Sequence, residues 1–147
     1  SLYILFMILF NLQKILRKLP DFNGSNWLIR IPLSIIFLQQ GFSKIPIDAS
    51  MAETYSLPLF LWYLVIISEL TAGIGIIFGG VLKSLGLVPF LGDFLTRFSG
   101  ITIVSIICGV IIISNPDSMI EILFYDHIHV MLFSGGLYFA LRGNRAI

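Results

Sequence analysis

The sequence predicts an all-α fold: an integral membrane four-helix bundle with an N-terminal interfacial amphipathic helix. Three observations carry this. Hydrophobic residues make up 57% of the 147-residue chain and charged residues 12%, against about 45–50% and about 25% in soluble domains. The mean hydropathy is +0.98. Residues 54–68, 70–82 and 98–116 contain no charged side chain. Together these exclude a soluble globule and a disordered chain, and leave several short membrane spans. A net charge of +1 supplies no field for nucleic acid. The single cysteine, Cys108, can form neither an internal disulfide nor a multi-cysteine metal site. Frequent isoleucine and scarce alanine suit an A/T-rich bacterial genome.

Residues 1–26 form an N-terminal interfacial segment and residues 27–147 a four-span membrane domain. The apolar run 2–10 is followed, not preceded, by Lys14, Arg17 and Lys18. That order fits a helix held at a cytoplasmic surface rather than an exported leader. Span one is expected over Trp27 to Phe42 and span two over Pro58 to Leu82. The second is about 37 Å long at 1.5 Å per residue. Span three is expected over Phe98 to Ser114. Span four starts between Asp117 and Ile128, after the helix-start signal Asn115-Pro116-Asp117, and ends near Leu141. The stretch 83–97 reads as a loop, because Gly86, Pro89 and Gly92 interrupt helical periodicity.

Charge fixes the expected orientation. Eight of the nine Lys and Arg fall on one side of these spans, with Lys44 alone on the other. Asp48, Glu53, Asp117, Glu121 and Asp126 share the side of Lys44. The positive-inside rule puts both termini in the cytoplasm. A fifth span through residues 2–16 is the alternative, and would move the N-terminus outside.

Glu69 stands near the middle of span two, where a carboxylate costs at least about 2.5–3.5 kcal/mol on insertion scales. It is either a proton-handling or ligand-binding group, or a buried anchor to another helix. Arg30 opens span one; snorkelling to headgroups is its simplest reading. Gln39, Gln40 and Lys44 form a polar cluster at the outer end of that span, as interhelical glue or as part of a ligand site. Gly73, Gly75 and Gly79 make a small-residue stripe that admits a neighbouring helix or a second copy of the chain. His127 and His129 sit at the mouth of span four, about 200° apart on a helix, so they cannot share one metal or haem. One of them could serve a quinone head group or a proton relay. No metal is expected, and neither nucleophilic triads nor phosphate loops occur.

Several stretches then resemble the DoxX family. Arg30-Ile-Pro-Leu-Ser-Ile-Ile-Phe-Leu-Gln-Gln-Gly41-Phe-Ser-Lys44 is similar to its pattern of an arginine, an apolar run and G-x-x-K. Ser68-Glu69-Leu70-Thr-Ala-Gly73 resembles its E-L-x-x-G, and Leu95-Thr96-Arg97 its L-T-R. Leu141-Arg142-Gly143-Asn144-Arg145 resembles its G-x-G-R-type ending, with Asn144 where glycine is usual. Two features depart from the pattern: the added stretch Lys83 to Phe94, and segment 1–26. The resemblance implies a four-helix inner-membrane protein associated with redox systems such as quinone-linked sulfur oxidation. The expected function is a redox-associated, quinone-linked subunit of a larger membrane complex, non-catalytic on its own. The alternatives are a structural accessory subunit and a small proton-coupled transporter centred on Glu69. A quinone or lipid is the expected small-molecule partner. Other membrane subunits would dock through 83–97 and 1–26.

Overall fold

The computed structural model describes residues 2–16 and 24–145. Arg17 and Lys18, the expected anchor beside Lys14, lie outside the described residues. The helices are α1 (Leu2–Leu16), α2 (Trp27–Ser43), α3 (Ala49–Thr54), α4 (Leu59–Ser84), α5 (Pro89–Ser114), α6 (Met119–Tyr125) and α7 (His127–Arg142). No strand occurs among the described residues. The fold class is all-α, as expected.

Helices α4 and α5, 26 residues each, are long and apolar enough to cross a membrane. Each is about 39 Å long. Helix α2 has 17 residues and α7 has 16, about 25 Å each and shorter than a bilayer core of about 30 Å. Helix α4 packs between α2 and α5, and α5 between α4 and α7. All three packed pairs are antiparallel: Ser34 meets Gly73 and Arg30 meets Gly80, Gly75 meets Ser99 and Gly79 meets Thr96, and Gly100 meets Gly136. Leu33 and Phe37 of α2, Ala72 and Ile76 of α4, Ile103 of α5 and Phe139 of α7 share one buried core. The outward surface is also apolar, with Phe78, Ile101 and Met131 exposed. Helices apolar inside and out suit a hydrocarbon surround.

The stretch 83–97, expected as a loop, is mostly helix. Only Leu85–Val88 separates α4 from α5. The glycine and the proline act as boundary signals at positions that leave both helices intact. Gly86 adopts φ 66 directly after the α4 cap, its N–H donates to Lys83 O, and that of Leu87 donates to Leu82 O. This is the Schellman pattern that closes a helix. Pro89 begins α5, where its missing N–H removes no helical bond. Gly92 lies inside α5 because α4 crosses there: a Cβ would stand 3.0 Å from Gly79 O.

The stretch expected as a fourth span is divided into α6 and α7. Ser118 caps α6 by accepting from Glu121 N (3.2 Å), and Asp126 breaks the chain before α7. Helix α1 covers the segment expected as an interfacial helix. Its polar residues Asn11, Gln13 and Lys14 gather in its second half rather than along one stripe. Its described side chains are exposed.

Candidate functional site

Two polar clusters interrupt the apolar interior. The first joins α2 to α4. Gly41 lets the helices close up, since a Cβ there would meet Leu70 Cδ2 at 2.6 Å. Three residues later Lys44 caps α2 and folds its side chain back into the bundle. Its Nζ donates to Glu69 Oε1 (2.8 Å) and Oε2 (2.7 Å), and to Gln40 O (3.1 Å). The two side chains are 15% and 7% exposed. Glu69 is the eleventh residue of α4, about 15 Å from its start. The carboxylate therefore has a partner at depth, and that partner is the lysine that broke the charge asymmetry.

Above this pair lies a small lid. Ala52 of α3 packs with Trp62 and Ile66 of α4, supported by Ile47 and Leu57. The Trp62 ring stands 5.8 Å from Lys44 Nζ and stacks on Tyr55 at 5.4 Å. Trp62 is 4% exposed, and its Nε1 has no hydrogen-bond partner. A bidentate ammonium–carboxylate pair can pass a proton from nitrogen to oxygen without changing its net charge. The arrangement can thus hold or relay a proton without placing an unbalanced charge in hydrocarbon.

The second cluster lies toward the other end. Arg30 is fully buried. It does not snorkel: its guanidinium donates to Ile76 O, to Thr96 Oγ1 (3.2 Å) and to Asn144 Oδ1 (2.8 Å). It also lies 4.5 Å from the Phe139 ring. Gly80 makes the room, because a Cβ there would stand 2.8 Å from Arg30 Cδ and Nε. Asn144 ties the cluster together. Its Nδ2 donates to Gly79 O (2.7 Å), its backbone N–H donates to Asp93 Oδ1 (2.7 Å), and its Oδ1 accepts from Thr96 (2.9 Å). Lys83 Nζ donates to Asn144 O. Arg97 pairs with Asp93 at 2.7 Å and donates to Ala140 O (3.1 Å), Leu141 O (2.6 Å) and Arg142 O (3.2 Å).

The other candidates fall elsewhere. The Gln40 side chain is exposed, and only its carbonyl reaches Lys44. Gln39 is likewise exposed. His129 Nδ1 lies 2.7 Å from both oxygens of Asp126, which caps α7; His127 is exposed. Neither histidine bonds to either cluster. Gly73 faces α2, where Ser34 Oγ donates to its carbonyl at 2.7 Å. Gly75 and Gly79 face Ser99 and Thr96 of α5. The stripe thus serves two helix contacts within one chain. No group of three or more metal-binding side chains occurs among the described residues. Sequence reasoning did not single out Thr96, Asp93 or Asn144 as site residues. The usable signals were the L-T-R motif and the asparagine standing in a glycine position.

A chain that is helical throughout its regular described structure, with two helices long and apolar enough to cross a membrane, fits a small membrane protein. The DoxX family model matches residues 26–116, well over half of the sequence, and the chain belongs to the DoxX family. The match takes in Arg30, Lys44, Glu69 and Arg97. No curated protein and no solved structure matches the chain.

Proposed function

We propose that this protein is a four-span subunit of the bacterial inner membrane, with both termini cytoplasmic, that serves a quinone-linked redox complex without being an enzyme on its own. The Lys44–Glu69 pair carries this reading. It is a buried, proton-competent couple at depth, beside an indole N–H lacking an acceptor. A quinone carbonyl supplies an acceptor, and a quinone needs protons when reduced. The antiparallel packing of α2, α4, α5 and α7 and the one-sided basic residues support four spans.

The test uses the fluorescence of Trp62, isolated by Trp27→Phe, and a short-chain ubiquinone analogue added to the purified protein. Saturable quenching is expected, with affinity lowered at least tenfold by Glu69→Gln. Identical quenching in that variant, or none in either, rejects the quinone site. A second reading, a structural accessory subunit, draws on the Arg30 cluster, whose bonds to α4, α5 and Asn144 serve cohesion. It gains if the quinone site fails while the chain still co-purifies with partner subunits in mild detergent.

A further inference from the structure

The end of the bundle that holds Asn144 is strongly basic. Lys83 of α4, Arg97 of α5 and Arg142 of α7 all donate to the backbone of residues 140–145, and Arg145 belongs to the same segment, its side chain exposed. The fold therefore collects cations that lie up to 62 positions apart in sequence. Of these, Arg97 is matched by Asp93. Lys83 and Arg142 donate to neutral carbonyls, Asn144 O and Arg145 O, which leave their charge uncancelled. Among the described residues, Lys83, Arg142 and Arg145 form no ion pair.

An apolar collar borders this basic end. Leu85, Leu87 and Val88 of the α4–α5 connection are exposed, as are Phe90 (82%) and Leu141 (71%). A dianionic solute would satisfy the cations and leave the collar bare. A neutral lipid would cover the collar and leave the cations unmatched. One molecule with a phosphate head and acyl chains satisfies both.

We propose that Lys83, Arg142 and Arg145 form a headgroup site for an anionic phospholipid whose acyl chains lie along the exposed Leu85 and Leu87 of the α4–α5 connection and Phe90 at the start of α5. The site is separate from the Lys44–Glu69 pair and stands whether or not a quinone binds there. It rests on the four-span reading only in needing this end at a membrane surface.

The test is lipid retention by the full chain, purified in mild detergent and followed by native mass spectrometry and thermal unfolding. Phosphatidylglycerol, phosphatidylcholine and inorganic phosphate are the three probes. Phosphatidylglycerol should be retained and should raise Tm; phosphatidylcholine and phosphate should do neither. Arg142→Gln with Arg145→Gln should lower phosphatidylglycerol retention at least tenfold. Equal retention of the two lipids, stabilisation by phosphate alone, or undiminished retention by the double variant overturns the proposal. Should that variant fail to fold, the wild-type chain in about 1 M salt gives the same decision, because the screening length falls to about 3 Å. The preference for the anionic lipid must then vanish. Tagging of the termini decides separately whether the four-span orientation holds.

Discussion

Removing both members of the Lys44–Glu69 pair should cost less than the two single removals added together. Breaking a buried pair by deleting one partner costs about 3–5 kcal/mol, because a desolvated charge is left alone. The side chains are 15% and 7% exposed, so solvent screens the pair little. Lys44→Met strands the carboxylate ten residues inside α4, and should cost about 3 kcal/mol. Glu69→Gln should cost less, about 1.5 kcal/mol, since an amide oxygen still accepts from Nζ and Lys44 can swing from the end of α2 toward headgroups. The double variant should lie close to the worse single one, which gives a coupling of about 1.5 kcal/mol. Reversible unfolding of the four proteins in mixed dodecyl maltoside and SDS micelles measures the cycle. A coupling below about 0.5 kcal/mol would falsify the claim that the pair holds α2 to α4.

Gly80→Ala should destabilise by about 1–3 kcal/mol, because a Cβ 2.8 Å from Arg30 Cδ and Nε forces the guanidinium out of its site; the same unfolding assay checks it. Asn144→Ala leaves Arg30 Nη2, the Thr96 hydroxyl and Gly79 O without this partner. A loss of about 2–4 kcal/mol is expected, with faster proteolysis near the C-terminus, and unchanged digestion would count against the tie. Asp48 caps α3, and the Ser50 hydroxyl, together with its backbone N–H, holds that carboxyl below its ordinary value of 3.8. A depressed carboxylate stabilises above that ordinary value and fades as pH falls below it. Amide protection in residues 49–54, taken relative to the intrinsic exchange rate at each pH, should therefore fall on acidification, and Asp48→Asn should flatten the profile. Reporter tags on the two termini should both read cytoplasmic; an external N-terminus would mean that residues 2–16 cross the membrane.

The helix positions were largely legible because apolar periodicity and chain-breaking residues are local signals. α2 and the body of α4 fall within a residue or two of the expected spans. The misread stretch 83–97 shows where local signals mislead. Gly86, Pro89 and Gly92 look alike as breakers, yet one closes α4, one starts α5 and one sits inside α5 for a close crossing. Only the packing of α4 on α5 tells them apart. Lys44 and Glu69 were each conspicuous alone, one as the stray cation and one as the deep acid. Their meeting depends on Gly41 closing α2 onto Leu70, a contact across 29 positions that no local pattern records. Arg30 misled for a similar reason. Its place near a span end suits snorkelling, whereas the space that lets it turn inward belongs to Gly80 on another helix.

The two polar clusters grip α2 at both ends. Arg30 and Lys44 are 14 residues apart, about 21 Å along a helix. A slide of α2 along α4 by one turn, about 5.4 Å, would part Lys44 from Glu69 and Arg30 from its acceptors together. These two helices therefore behave as a single rigid plate. α7 is anchored differently: Arg97 holds its last carbonyls, and among the described residues no side-chain hydrogen bond joins residues 127–139 to another long helix. The His127 half of α7 therefore lacks the polar ties that fix α2 on α4, while its Gly143 end is held by Arg97.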